Sequence, residues 1–144
     1  MDLYCGGGAI GLLAARAGAG EVFGIEISPE SVARARENAD RNGLAQAEFV
    51  VGDVAREARE LRARVPAPTL AFVDPPRAGL TPRAVRRLIE LEPGRIVYVS
   101  CNPTTLAPNA RQLVDAGYRL RSVQPVDMFP HTPHIESVAL LTRD

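Results

Sequence analysis

The chain has 144 residues, 46% of them hydrophobic, which suits one globular domain with a proper core. With 17 basic and 17 acidic residues the formal net charge is zero, so no bulk-charge signal announces a nucleic acid or an anionic surface. Every basic residue is arginine, the planar fork that fits phosphate. Cys5 and Cys101 form neither a CxxC pair nor a disulfide framework. No signal peptide or long apolar span is visible, and a cytoplasmic location is expected.

Asp2-Leu3-Tyr4 reads as the end of a buried strand. The glycine-rich turn Cys5–Gly11 follows, where Gly6 and Gly8 permit a tight turn and close approach of a ligand. It opens a helix expected over Leu12–Ala17. A second strand, Glu21–Glu26, ends in an acid about 20 residues past the loop, where nucleotide-binding α/β folds present a carboxylate to ribose hydroxyls. A solvated loop carboxylate is the other reading of Glu26. Ser28 suits an N-cap and Pro29 the first helical position, and Val32, Ala35, Arg36 and Ala39 follow at helical spacing until Asn42-Gly43. Ala47–Val51 is the third strand. Asp53 then stands where an adenine-contacting polar residue would sit, or caps the next helix, and both readings remain open. Arg56, Arg59, Arg62 and Arg64 give that helix a basic face, read as solvated or as an RNA phosphate contact.

Thr69–Val73 is an apolar fourth strand that runs into Asp74-Pro75-Pro76-Arg77-Ala78-Gly79, where two prolines fix an acid in one geometry. After a helix over Pro82–Leu91, the β-branched run Val97–Ser100 ends at Cys101. Pro103 suits the first turn of a helix. Cys101 is therefore expected beside the positive end of that helix, where a thiol's pKa falls and a thiolate serves as nucleophile. A buried, inert cysteine is the alternative. The helix reads as Thr104–Ala116, with Pro108 expected to kink it and Gly117 to cap it. Tyr118–Val126 and Ile135–Leu141 alternate apolar and polar, as two final antiparallel strands would. The link between them carries both histidines, His131 and His134, and Glu136 lies just beyond.

Alternating strands and helices imply an α/β fold, a mostly parallel sheet with helices on both faces and an antiparallel last strand. Ligands of such sheets bind outside the carboxyl ends of the strands. Those ends carry the glycine loop, Glu26, Asp53, Asp74 and Cys101, which together suggest a nucleotide-like cofactor in the first half and a nucleophile in the second.

Asp-Leu-Tyr-Cys-Gly at 2–6, Asp-Pro-Pro-Arg-Ala-Gly at 74–79, Ser-Cys-Asn-Pro at 100–103 and Asp-Met-Phe-Pro-His-Thr-Pro-His-Ile-Glu at 127–136 occur in this order. Together they resemble the S-adenosylmethionine-dependent RNA (uracil-5-)methyltransferases, which form 5-methyluridine in tRNA or 23S rRNA. The resemblance covers the carboxyl-terminal catalytic domain of that family, so a single Rossmann-like class I methyltransferase domain is expected over 1–144, as a piece of a longer protein. It implies Cys101 as the nucleophile that adds to uracil C6 and Glu136 as the base that removes the C5 proton. It also implies S-adenosylmethionine bound by Tyr4, Gly6, Gly8, Glu26, Asp53 and Asp74. Asp74 and Arg77 are placed on the substrate side. His131 and His134 are expected to shape the loop before Glu136, with no metal. An RNA partner, no membrane and a monomer complete the expectation. Ala9 departs from the polar residue that the family often has there. Two alternatives stand: an amino-methyltransferase using the Asp-Pro-Pro loop without a nucleophilic cysteine, and a non-catalytic fragment that binds cofactor or RNA.

Overall fold

A computed structural model describes residues 1–63 and 66–143. The elements run β1 (Asp2–Leu3), α1 (Ala9–Arg16), β2 (Val22–Glu26), α2 (Pro29–Arg41), β3 (Ala47–Val51), α3 (Val54–Arg62), β4 (Leu70–Val73), α4 (Pro82–Leu91), β5 (Arg95–Ser100), α5 (Pro103–Asp115), β6 (Arg119–Val126) and β7 (Glu136–Thr142). One sheet has the order β3-β2-β1-β4-β5-β7-β6. Strands β1 to β5 pair in parallel, and β7 is antiparallel to both β5 and β6. The chain winds outward from β1 to β3, then returns to β4 on the other side. The strand order therefore reverses between β1 and β4, and such a switch point opens a crevice at the carboxyl ends.

Helices cover both faces. On one face Leu61, Val85, Leu88, Leu91 and Leu113 pack with Ile25, Ala71, Val73, Ile96, Tyr98, Ala139 and Leu141 in the larger core. On the other, Leu12, Val32, Ala35 and Ala39 close over Phe49 and Cys5. Local chemistry sets the helix starts. Ser28 Oγ accepts from Ser31 N–H, Asp53 from Arg56 N–H, Thr81 from Ala84 N–H and Asn102 from Thr104 N–H. These side chains satisfy amides that a helix leaves unbonded.

Three expectations need correction. Helix α1 begins at Ala9 rather than Leu12, because Gly8 at φ 83 turns the loop straight into the helix. Helix α5 begins at Pro103, one residue earlier than read, and contains Pro108 within its span. Strand β6, expected to bury one side, has all eight residues exposed, because it forms the sheet edge beyond β7. A register shift between Leu120 and Ser122, together with Pro125, spoils that edge as a template for further strand pairing.

Candidate active site

The glycine loop is braced from below and from the side. Asp2, 1% exposed, accepts from Gly11 N–H through Oδ2 at 2.8 Å. Glu26, at the end of β2, accepts from Gly6 N–H at 3.1 Å and from Ser28 N–H at 2.9 Å. Asn38 of α2 donates to the Gly7 carbonyl at 3.1 Å. Gly8 has no room for a side chain: a Cβ there would come within 2.9 Å of the Phe49 ring. The loop is thus a fixed backbone surface.

Tyr4 follows β1 with φ 65, a left-handed conformation that costs a bulky residue roughly 1–3 kcal/mol. Burial, and then Asp53, push its phenol up to about 12, so it remains a neutral hydrogen-bonding group. Asp53 keeps its capping bond to Arg56 N–H at 3.0 Å. Tyr4, Glu26, Asp53 and Asp74 line one cavity of about 430 Å³ together with Ile27 and Pro75. It lies at the carboxyl ends of β1 to β4, at the switch point. A larger cavity of about 560 Å³, lined by Val22, Leu70 and Phe72 among others, opens at the opposite end of the strands and contains none of the expected cofactor ligands.

The second half of the site meets the first at Asp74. Its carboxyl is raised above the ordinary value, first by burial and then by the negative field of Glu136. Glu136 opens β7, whose neighbour Ser137 pairs with Ser100 of β5. Cys101 follows Ser100 and Glu136 precedes Ser137, so each lies one residue from the last β5–β7 pair. Ser100 and Ser137 are both buried, whereas Cys101 and Glu136 are partly exposed. Cys101 is a partly exposed free thiol next to the N-cap of α5, whereas Cys5 is buried under the glycine loop and its thiol is pushed up to about 12, chiefly by burial. Arg77 Nη1 lies 3.5 Å from His134 Nδ1, which connects the Asp-Pro-Pro loop to the segment leading into Glu136.

The site therefore joins Tyr4, Glu26, Asp53 and Asp74 in a cavity, with Glu26 bonded to Gly6 of the glycine loop, and with Cys101 and Glu136 each one residue from the Ser100–Ser137 pair. The basic face of α3 is not a free cluster: Arg56 pairs with Glu57 at 2.6 Å and Arg62 with Glu92 at 3.3 Å. Arg64 lies outside the described residues. Asp2 and Asn38 escaped the sequence reading. An acid inside an apolar strand just before a glycine loop was the available signal for Asp2; Asn38 gave none beyond being polar. Among the described residues no helix is long and apolar enough to cross a membrane.

The fold is shared with solved methyltransferases. A precorrin-6Y C5,15-methyltransferase from Geobacter metallireducens superposes with a TM-score of 0.78 over 99% of this chain and 78% of its own, at 17% identity, a likeness of fold alone. A Pyrococcus abyssi tRNA (uracil-54, C5)-methyltransferase, solved with S-adenosyl-L-homocysteine, superposes with a TM-score of 0.82 at 40% identity over 98% of this chain and 33% of its own. The model of the tRNA (uracil-5-)-methyltransferase family matches residues 1–144, and the chain belongs to that family. An uncharacterised RNA methyltransferase of Caldanaerobacter subterraneus subsp. tengcongensis is 46% identical over 143 residues, 99% of this chain and 31% of that protein. One of Chlamydia trachomatis is 41% identical over 99% of this chain and 35% of its own length. The chain thus spans about a third of the length of these curated relatives.

Proposed function

We propose that this chain is the catalytic domain of an enzyme that methylates C5 of a uridine in RNA, with S-adenosylmethionine as methyl donor. The observation that carries the reading is the meeting at Asp74 of a cofactor-sized cavity, which Asp74 lines, with the charge of Glu136, while Cys101 follows directly on β5, the strand that pairs with β7. The cavity fits the cofactor: its volume lies in the range of small-molecule sites, and its walls offer a phenol and three carboxylates, one of which, Glu26, is bonded to the glycine loop at Gly6. Glu26 is the candidate for the ribose hydroxyls, Asp53 for the adenine side, and Tyr4, Gly6 and Gly8 for the remaining wall. When bound, S-adenosylmethionine supplies an electrophilic methyl group.

Uracil C5 is too weak a nucleophile to accept that methyl unaided. Addition of the Cys101 thiolate to C6 forms a C6–S bond and turns C5 into an enolate carbon. After C5 has gained its methyl group, Glu136 takes the C5 proton. The C5–C6 double bond re-forms and the C6–S bond breaks, which returns Cys101 as thiolate. Asp74, with its raised proton affinity, is suited to hydrogen-bond the base between cofactor and Cys101, and Arg77 to hold the base's surroundings or a phosphate. The name of the family, and the tRNA enzyme from Pyrococcus abyssi, make tRNA the first substrate to try, with 23S rRNA second.

RNA carrying 5-fluorouridine tests the reading, because fluorine at C5 cannot leave as a proton. With S-adenosylmethionine the protein should stall as a covalent RNA adduct on a denaturing gel, and Cys101→Ser should form none. Methylation that persists in Cys101→Ala would favour the amino-methyltransferase. Binding of cofactor without adduct or turnover would favour the non-catalytic reading.

A further inference from the structure

Helix α5 begins directly after Cys101, and one of its faces is bonded to the backbone of the Asp74 loop. Asn102, Thr105 and Asn109 recur at helical spacing along that face. Asn102 Nδ2 donates to the Arg77 carbonyl at 3.3 Å, and Thr105 Oγ1 donates to the same oxygen at 3.2 Å. Asn109 is 6% exposed. Its Oδ1 accepts from Leu80 N–H at 2.8 Å and from the Tyr98 hydroxyl at 2.9 Å, while its Nδ2 donates to the Leu80 carbonyl at 3.2 Å. One side chain thus grips both backbone groups of Leu80 and a fully buried tyrosine of β5. Gly79 makes the approach possible, since at φ 75 its Cβ would sit 2.7 Å from Asn109 Oδ1.

A buried amide held three ways between a loop, a strand and a helix is stiff, because losing it strands each partner without water. The elements it joins carry the two halves of the site: the loop bears Asp74 and Arg77, and the helix and strand flank Cys101. Resting on the reading above, we infer that Asn109 is a positioning residue that sets the distance of Cys101 from the Asp74 loop, and hence the alignment of the base with the methyl donor. It touches neither substrate nor cofactor and acts through Leu80 and Tyr98.

Steady-state methylation by Asn109→Ala tests this, measured beside S-adenosylhomocysteine affinity. The expected result is a kcat lower by about tenfold or more, with KM for RNA within about threefold, since a small misplacement of reacting groups slows chemistry more than binding. Affinity for S-adenosylhomocysteine should change less than kcat, because Tyr4, Glu26 and Asp53 line the cavity from other elements and of its ionisable walls only Asp74 belongs to the loop that Asn109 holds. Asn109→Asp keeps the acceptor for Leu80 N–H and the Tyr98 hydroxyl but sets an oxygen against the Leu80 carbonyl, and should restore the rate only in part. A lower melting temperature with unchanged kcat would mean a merely structural residue and would overturn the inference. If Asn109→Ala does not fold, Tyr98→Phe removes the hydroxyl that holds Asn109 Oδ1 and should lower kcat in the same selective way; an unchanged kcat there overturns it. If the wild-type protein makes no fluorouridine adduct, the functional reading fails and hydrogen exchange judges the seam. Selective loss of protection at the amides of Asp74, Gly79 and Leu80 in Asn109→Ala would then uphold the coupling, and loss spread evenly over the sheet would end it.

Discussion

The carboxyl ends of β1 to β3 and the edge formed by the carboxyl ends of β5 and β6 with the start of β7 are built by opposite means. In the first region the backbone forms the surface: Gly6, Gly7 and Gly11 are each held by a side chain from another element, namely Glu26, Asn38 and Asp2. In the second, side chains project from segments that stay open, with Cys101 partly exposed, Met128 and Phe129 exposed, and β6 exposed over its whole length. The difference suits the proposed division of labour. A small cofactor calls for a rigid, enclosed cradle, whereas a base carried on a polymer needs access from outside. Asp74 belongs to both, lining the cavity and feeling the charge of Glu136.

Replacing Glu136 by Gln should produce the largest effect and fall on the open region alone. Turnover is expected to drop by about 10²–10⁴, the usual contribution of a positioned base, with methylated covalent adduct accumulating on RNA and S-adenosylhomocysteine affinity unchanged. Turnover near wild type would remove Glu136 as the base.

A second effect belongs to the rigid region and concerns stability. Burial raises the Asp2 carboxyl to about 6, and its Oδ1 has no hydrogen-bond partner among the described residues. Its proton affinity in the folded state exceeds the unfolded value, so folding favours the protonated form. Stability should therefore be greatest below about pH 4 as far as this group decides, and fall as pH rises through about 6. The loss is about 3 kcal/mol for a shift of this size. Asp2→Asn should flatten that slope in urea unfolding between pH 4 and 7. An unchanged slope would mean that the carboxyl is not desolvated as described.

Glu26→Gln should have the smallest effect and the opposite signature to Glu136→Gln. One of its two oxygens becomes a donor facing an amide, either Gly6 N–H or Ser28 N–H. Affinity for S-adenosylhomocysteine should weaken by about tenfold by calorimetry, the scale of one charged hydrogen bond, with the residual rate at saturating cofactor close to wild type. A loss confined to kcat would erase the distinction between the two regions.

Much of this was legible in the chain. The alternation of strands and helices, the caps Ser28 and Asp53, and the strand-end positions of Glu26, Asp74 and Cys101 follow from local spacing, because period and capping act within a few residues. The starts of β2 and β4 fell one residue later than the sequence suggested, at Val22 and Leu70, since strand ends depend on pairing with neighbours. Asp53 both caps α3 and lines the cavity, two roles the sequence left as alternatives. The exposure of β6 was not legible, because alternation records which residues are apolar and not whether anything covers them. Asn109 was equally silent: a polar residue in mid-helix looks the same whether it faces water or grips Leu80.

The sequence by itself determined the order of the elements, the turns that join them and the side chains available at the strand ends, all of which rest on local backbone preference. Only the tertiary structure decided that β7 enters between β5 and β6, bringing the start of β7 to the end of β5, and that α5 fastens to the Asp74 loop. Those contacts join residues far apart along the chain, and their register is fixed by burial of whole faces rather than by any short motif.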